Sequence, residues 1–195
     1  MLPIKIIKNF ISKDEAELII EYIEKNYTSF TKDHHGLWFK KVFGLDAIYR
    51  AGSCEGIIEG LEDITELSIK IVDDVRGLVS KSFNDTDDIF LNSLWFVKHL
   101  PGGSVGEHSD TADGADGQFV YSAIVYLNTI EDGGVLDFPN IDLSIRPELG
   151  DLIIFHSKDM LHRVSNIGEY RYTLPMWFTK NKELELKFKE LDKKI

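Results

Sequence analysis

The chain has 195 residues, of which 43% are hydrophobic and 11% aromatic, so it is long and apolar enough to bury a core and is not a disordered chain. Its 33 acidic residues outnumber 22 basic ones and give a formal net charge of −11. This charge argues against nucleic acid as a partner, because affinity for phosphates rests on clustered lysine and arginine. We expect one domain over residues 1–195 with no membrane-spanning segment. The single cysteine, Cys54, cannot form an intrachain disulfide, which favours the cytoplasm.

Residues 1–90 are predicted to form a mainly helical support. Ser12 and Glu15 have the spacing of a capping box, which predicts the start of a first helix. Behind them, apolar residues recur at helical spacing at Ala16, Ile19, Ile20, Ile23 and Tyr27. The same reasoning predicts a second helix from residue 57 to just before Phe83. Residues 33–52 have no clear periodicity, and both their structure and their function stay open.

Residues 91–179 are predicted to form a β-rich core. Short runs rich in Val, Ile, Tyr, Phe and Trp alternate with glycine-rich turn signals. With one run near the N-terminus, the predicted strands cover residues 4–7, 93–100, 119–127, 134–138, 143–145, 152–155, 162–165 and 170–178. Short strands in this number suggest a β-sandwich or jelly roll. We therefore predict a mostly β, α+β fold: a jelly-roll core with the N-terminal helices packed on one face.

A terminal amphipathic helix is predicted over residues 180–195. Its apolar positions recur at helical spacing between lysines and glutamates, at Leu184, Phe188, Leu191 and Ile195.

The best chemical motif in the chain is His108-Ser109-Asp110, with His162 much later. Residues two apart on a strand face the same side, so His108 and Asp110 can approach one ion together. A second imidazole completes a set of two histidines and one carboxylate, which leaves one side of the ion open and is typical of non-haem Fe(II) oxygenases. The tripeptide alone also occurs by chance, in which case its residues are ordinary core or surface side chains.

Arg171 lies nine positions after His162, on the predicted strand 170–178, and Thr173 lies on the same face of that strand. A guanidinium fixed in a sheet can bind a carboxylate through two parallel hydrogen bonds, and a hydroxyl two residues away can donate a third. The alternative is a structural salt bridge to one of the many acidic residues. In either case a buried arginine requires an anionic partner, because an unpaired buried charge is very costly.

Taken together, the motifs from about residue 91 to 178 resemble the prolyl-4-hydroxylase-like branch of the Fe(II)- and 2-oxoglutarate-dependent dioxygenases. The resemblance rests on the order and spacing of short segments. These are LPGGS (100–104), HSD (108–110), VYLN (125–128), DGGVLDFP (132–139), PELGDLIIF (147–155), HRV (162–164) and GEYRYTL (168–174). It implies a double-stranded β-helix, a form of jelly roll, which agrees with the strand pattern.

The resemblance also implies roles for individual residues. It assigns Fe(II) to His108, Asp110 and His162. Arg171 would bind the distal carboxylate of the cosubstrate 2-oxoglutarate, Tyr126 matches a tyrosine that donates to the same cosubstrate, and Thr173 is a further candidate. The implied activity is the hydroxylation of a C–H bond with O2, which releases succinate and CO2. A prolyl residue in a peptide or protein is the leading substrate hypothesis.

Two alternatives remain open at this point: hydroxylation of a free amino acid or another small molecule, and a non-catalytic jelly-roll module that binds a structural metal ion. No lysine or arginine occurs between Lys98 and Arg146, so we expect the substrate to be neutral or cationic. Relatives often have a tyrosine where this chain has His99, and the role of His99 stays open. The oligomeric state is not predicted.

Three aromatic residues, Trp95, Trp177 and Phe178, are interpreted as core. Trp177 also stands where the nucleic-acid demethylases of the superfamily carry a further arginine. Its presence agrees with the acidic charge in arguing against a nucleic-acid substrate.

Overall fold

The computed structural model describes residues 3–26, 31–32, 37–41, 55–56, 64–110, 119–185 and 187–188. Its helices are α1 (Lys13–Asn26) and α2 (Thr65–Phe83). Its strands are β1 (Ile4–Ile7), β2 (Thr31–Lys32), β3 (Leu37–Lys41), β4 (Glu55–Gly56), β5 (Phe90–His99), β6 (Val105–His108), β7 (Tyr121–Tyr126), β8 (Leu136–Phe138), β9 (Leu143–Ile145), β10 (Leu152–His156), β11 (His162–Val164), β12 (Arg171–Thr179) and β13 (Lys187–Phe188).

Two antiparallel sheets form the sandwich. The larger sheet has the order β1-β10-β7-β12-β5-β3-β2, and the smaller sheet has the order β6-β11-β8-β9. This arrangement confirms the predicted jelly roll with two N-terminal helices. All eight predicted strands are present, two with the predicted ends and six with one or both ends shifted by up to three residues. The organisation of residues 1–195 as one domain stays a prediction.

Helix α1 begins as the sequence predicts. The backbone N–H of Ser12 donates to Glu15 Oε2 over 2.8 Å, and the N–H of Glu15 donates to Ser12 Oγ over 3.2 Å, which completes the capping box. Ala16, Ile19 and Ile23 of the predicted stripe are fully buried, which is the face that packs on the larger sheet. Tyr27 lies outside the described residues.

Helix α2 packs beside α1 in the same apolar core. Its buried residues Ile71, Val75 and Val79 recur at i, i+4 and i+8. They join Leu94 and Leu174, which project from the outer face of the larger sheet. The part of this helix predicted at residues 57–63 lies outside the described residues.

A second apolar cluster fills the space between the two sheets. Phe155 and Ile153 contribute from β10, and Leu136 and Phe138 contribute from β8. Because strand side chains alternate in direction, one face of the larger sheet holds the helices and the other faces the smaller sheet. The inner face is therefore available for a site between the sheets.

The prediction of a C-terminal α-helix is wrong over residues 182–185 and 187–188. Lys182–Leu184 form a single 3-10 turn, and β13 pairs in parallel with β4. The remainder of that predicted helix lies outside the described residues. Most of segment 33–52 also lies outside them, and the strand β3 within this segment was not predicted. Neither described helix is long and apolar enough to cross a membrane.

Candidate active site

The predicted triad comes together at the end of the smaller sheet. His108 ends β6 and His162 begins β11, and the two are direct partners in the register of this strand pair. Asp110 lies two residues beyond β6. Its Oδ1 atom is 3.4 Å from His108 Nε2 and 3.7 Å from His162 Nε2. One ligand atom from each residue lies within 4.8 Å of the other two, so the cluster has the size of a metal site.

Hydrogen bonds to the backbone fix the orientation of both imidazoles. His108 Nδ1 is 2.9 Å from the carbonyl oxygen of Gly106, and His162 Nδ1 is 3.0 Å from that of Met160. A carbonyl only accepts, so each Nδ1 carries a proton, and in the neutral form of each ring the lone pair is on Nε2. Both lone pairs are therefore on the nitrogens that face Asp110, which is the arrangement that a metal ion requires. In the metal-free protein the hydrogen bond with Asp110 raises the pKa of His108, so a metal ion would take the place of that proton on His108 Nε2.

The electrostatics of the cluster also suit a cation. Burial lowers the pKa of His162 and so favours its neutral form. Burial alone would raise the pKa of Asp110, but hydrogen bonds from His108 and Ser122 and the nearby His162 outweigh burial, so the pKa lies below its usual value. Two imidazoles and an ionised carboxylate are donors that suit Fe(II).

Two serines that the sequence did not single out extend this cluster. Ser122 Oγ donates to Asp110 Oδ2, and Ser122 Oγ and Ser157 Oγ are 2.8 Å apart. Both serines are buried. They lie 12 and 47 positions after Asp110 and belong to no motif, so only the strand pairing brings them to the site.

Arg171, at the start of β12, is the second predicted feature of the site. It is only 3% exposed, yet it forms no ion pair with any carboxylate of the described residues. Its Nη2 donates to the Tyr126 hydroxyl over 3.2 Å, and its Nη1 lies 3.2 Å from His99 Nδ1. Its buried Nε has no hydrogen-bond partner in this part of the chain. The structural salt bridge that the sequence left open is thus not found among the described residues.

The described neighbours of Arg171 are both neutral and do not compensate its charge. Burial, followed by the Arg171 charge, lowers the pKa of His99 well below its usual value, so the ring is neutral and accepts a hydrogen bond. Burial raises the pKa of Tyr126 although Arg171 opposes this, so the phenol keeps its proton. A buried guanidinium with free donors and only neutral partners is suited to an incoming carboxylate.

One cavity connects the triad with Arg171. It is lined by Trp95, Val97, His99, Val105, His108, Asp110, Ser122, Ala123, Ile124, Leu136, His162, Val164, Arg171, Thr173, Pro175, Met176 and Trp177. Thr173 lies on the same face as Arg171, as predicted, and is buried. Tyr126 is opposite Thr173 in the register of β7 and β12. It does not line the cavity itself but accepts a hydrogen bond from Arg171, which does.

The interpretation of the aromatic residues as core is correct for Phe178 and wrong for the two tryptophans. Phe178 is fully buried against the helices. Trp95 and Trp177 are half-buried, line the cavity, and contact each other edge to face with ring centroids 4.7 Å apart. Trp177 has odd parity on β12, as Arg171 does, so both project from the inner face of the sheet.

Comparison with known proteins gives a family for the core of the chain. Residues 94–179 match the family described as the 2OG-Fe(II) oxygenase superfamily. This segment contains the triad and Arg171, and it coincides with the strands that form the sandwich. No curated protein is similar enough in sequence to give a significant match.

Several solved structures share the fold over nearly the whole chain. A prolyl-4-hydroxylase from Pseudomonas putida is 19% identical with a TM-score of 0.70, covering 92% of this chain and 93% of that chain. A viral collagen prolyl hydroxylase from Paramecium bursaria Chlorella virus-1 is 17% identical with a TM-score of 0.64, covering 92% and 97%. A Trichoplax adhaerens prolyl hydroxylase, in complex with a peptide fragment of the hypoxia inducible factor oxygen degradation domain, is 17% identical with a TM-score of 0.65, covering 93% and 86%. At these identities the likeness shows the fold alone.

Proposed function

We propose that the chain, whose residues 94–179 match the 2OG-Fe(II) oxygenase superfamily, is an oxygenase of this family that hydroxylates a C–H bond of a prolyl residue in a peptide or protein. The family and the His-Asp-His triad imply Fe(II) and 2-oxoglutarate as its cofactor and cosubstrate. When bound, these two groups and dioxygen supply the oxidation of the C–H bond, with release of succinate and CO2. The protein supplies binding, orientation and a dry cavity.

We assign the metal to His108, Asp110 and His162. The two Nε2 lone pairs and Asp110 Oδ1 face one another, and the backbone carbonyls of Gly106 and Met160 hold both rings in that orientation. All three donors come from one side, because His108 and His162 are neighbours on the smaller sheet. The opposite side opens into the cavity and is left for the cosubstrate and dioxygen.

The observation that carries the proposal is the guanidinium of Arg171, which forms no ion pair with the described residues and lies in the same cavity as the triad. A structural metal site has no need of a buried arginine with free donors, whereas a dicarboxylate cosubstrate requires an anchor for the carboxylate far from the metal. Arg171 Nε has no partner among the described residues, and Tyr126 accepts from Nη2 and so keeps its own proton to donate. Thr173 lines the cavity two residues further along the strand.

The lining of the cavity supports a substrate with a compact apolar ring. Trp95 and Trp177 form an aromatic wall, and Pro175 and Val97 continue it toward Arg171. Flat aromatic faces contact a pyrrolidine ring through dispersion and burial of apolar surface without demanding hydrogen bonds from it. Similar solved structures are described as prolyl hydroxylases, which supports the same substrate class here.

The surroundings of the site favour a peptide that is neutral or basic. Two of the metal ligands, His108 and Asp110, follow the exposed Glu107, and the stretch between Lys98 and Arg146 contains no lysine or arginine. A cleft with this charge attracts cations and repels anions. We also propose that the protein acts in the cytoplasm, where a reducing environment keeps iron as Fe(II), which agrees with the single cysteine.

Anaerobic titration of the Fe(II) protein with 2-oxoglutarate tests the assignment of the site. We expect a visible absorption band to appear as the oxoacid binds beside the metal, and Arg171→Ala to shift its midpoint to at least about 100-fold higher concentration, since a charge-assisted bidentate contact is lost. Arg163→Ala is the matched control, because this arginine is 53% exposed on β11 and, among the described residues, forms an ion pair only with Asp137. A wild-type protein without the band, or an Arg171→Ala protein with an unchanged midpoint, would contradict the assignment.

The substrate is tested by succinate release against a panel of peptides and free amino acids, with incorporated oxygen followed by mass. We expect release to be stimulated by proline-containing peptides with basic flanks and the added oxygen atom to lie on the prolyl residue. Stimulation by a free amino acid alone would replace the prolyl proposal with the small-molecule alternative. Absence of stimulation by any proline-containing peptide would also contradict it.

A further inference from the structure

Asp110 differs from the other two metal ligands in how it is held. Both histidines lie on paired strands, and each has a backbone carbonyl behind its ring. Asp110 lies two residues past the end of β6, so strand pairing does not hold it. Its Oδ2 atom is instead engaged by Ser122, the one hydroxyl among the described residues that donates to it.

Chemistry fixes the direction of the hydrogen bonds in this cluster. An ionised carboxylate only accepts, so the Ser122 hydroxyl must donate its single proton to Asp110. Ser122 Oγ then has only lone pairs left, so Ser157 must be the donor in the 2.8 Å bond between the two hydroxyls. The chain therefore runs from Ser157 to Ser122 to Asp110.

Both serines stand on rigid supports. Ser122 lies on β7, paired with Phe155 of β10 on one side and with Trp177 of β12 on the other. Ser157 directly follows β10, its backbone N–H donates to the Val120 carbonyl, and it is fully buried. Residues of the larger sheet thus position Asp110, whereas the other two metal ligands, His108 and His162, lie on the smaller sheet.

We propose that Ser122 and Ser157, the serine pair, position the Asp110 carboxylate so that Oδ1 faces the metal and Oδ2 does not. The inference rests on the proposed function, because it assigns Asp110 to the metal. Without the serine pair, the carboxylate is free to rotate about its terminal bond and to present both oxygens to the ion. That second contact would occupy a position needed by the cosubstrate. Ser122 and Ser157 are positioning residues, since neither touches the metal position directly.

The test is a titration of the metal-free protein with Co(II) alone, followed by its visible absorption. The dissociation constant of Ser122→Ala should rise about 10- to 100-fold, and its spectrum should change because the carboxylate binds differently. Ser157→Ala keeps the contact between Ser122 and Asp110, so a smaller loss of roughly 3- to 10-fold is expected. Ser122→Thr keeps the hydroxyl and should restore most of the wild-type affinity.

Ser68→Ala provides the matched control. Ser68 is also buried, at 2% exposed, but it lies in α2 and its hydroxyl has no hydrogen-bond partner among the described residues. The Ser68→Ala protein should bind Co(II) with the affinity of the wild type. Circular dichroism checks that each variant folds. If Ser122→Ala does not fold, the Co(II) affinity of Ser157→Ala decides the test.

The outcomes separate the two proposals. Wild-type affinity and spectrum in both serine variants would overturn the role of the serine pair while leaving the metal site intact. A wild-type protein that does not bind Co(II) would instead overturn the proposed function, and this inference with it. An equal loss in Ser68→Ala would also overturn the inference, since the effect would then not depend on contact with Asp110.

Discussion

His99 is the residue whose role the sequence left open, and its surroundings now define one. It is 3% exposed, lines the cavity, and lies opposite Arg171 in the register of β5 and β12. The neutral ring accepts from Arg171 Nη1, while Tyr126 accepts from Nη2. The guanidinium is therefore held from two sides and its Nε is left for a ligand.

Replacing His99 with Leu should weaken 2-oxoglutarate binding about tenfold, because Arg171 loses an acceptor and gains freedom to turn away. His99→Gln keeps an acceptor and should remain close to wild type. Isothermal titration of the Mn(II)-loaded protein with 2-oxoglutarate, without oxygen, measures the difference. Equal affinity in the Leu and Gln variants would show that the acceptor is not what matters.

Burial of His99 also makes the stability of the metal-free protein depend on pH. The pKa of His99 is well below its usual value in the folded state, first through burial and then through Arg171, whereas the unfolded chain has a pKa near 6.5. Below that pH the unfolded state binds a proton that the folded state does not, so the free energy of unfolding falls as pH falls.

From about pH 7.5 to about pH 5.5 this single group should remove about 1.4 kcal/mol of stability. Urea unfolding at the two pH values, compared between the wild type and His99→Gln, isolates this contribution. Burial also lowers the pKa of His162, so this group likewise reduces the free energy of unfolding as pH falls, but its contribution is present in both proteins. An identical loss in both proteins would exclude His99 as its source.

His108 and Asp110 were predictable because their two-residue spacing is local, and His162 and Arg171 because each lies in a short segment whose order and spacing resemble the family. Ser122, Ser157 and the contact between His99 and Arg171 were not, since each joins residues that are far apart in sequence and carry no motif. Their positions follow from strand register, which a single sequence specifies only through the whole fold.

Among the elements, helices α1 and α2 were predicted because their buried stripes follow the helical period. The segment after β12 has an equally regular spacing, yet β13 pairs with β4 instead. Two strands so distant in the sequence can pair without leaving a trace in the local periodicity of either one. A helical spacing near a chain end is therefore weak evidence for a helix where a strand elsewhere in the fold can pair with the same segment.

The turn before β8 depends on two glycines with positive φ, Gly133 and Gly134. A Cβ atom at Gly133 would lie 1.8 Å from the carbonyl oxygen of Asn166, which is backbone and cannot easily move. Gly133→Ala should therefore destabilise the protein by at least about 2 kcal/mol, through clash and left-handed strain together. Urea unfolding measures this change.

Gly77→Ala is the matched control for that substitution. Gly77 lies on the exposed face of α2, and a Cβ atom added there would meet no other atom within 4 Å, so alanine should stabilise the helix by roughly 0.5–1 kcal/mol. The same chemical change should thus have opposite signs at the two positions. A loss at Gly77 equal to that at Gly133 would refute the explanation by local backbone geometry.

At the scale of the whole molecule, the net charge of −11 should affect how substrates reach the site. For a peptide with basic flanks, raising ionic strength from about 50 mM to about 500 mM should increase KM severalfold, because salt screens the attraction. A peptide with neutral flanks serves as the control and should change little. If both respond equally, steering by charge does not contribute.

The two halves of the site belong to different sheets: Arg171 to the larger and both histidines to the smaller. Sheets that pack face to face keep a nearly constant separation, near 10 Å, because their side chains interdigitate. On the proposed assignment, the thickness of the sandwich sets the length of the oxoacid that can reach both ends. Oxaloacetate and 2-oxoadipate, one methylene shorter and longer, should bind about tenfold or more weakly than 2-oxoglutarate. Cosubstrate choice would then be a property of the distance between two layers, and not of any one side chain.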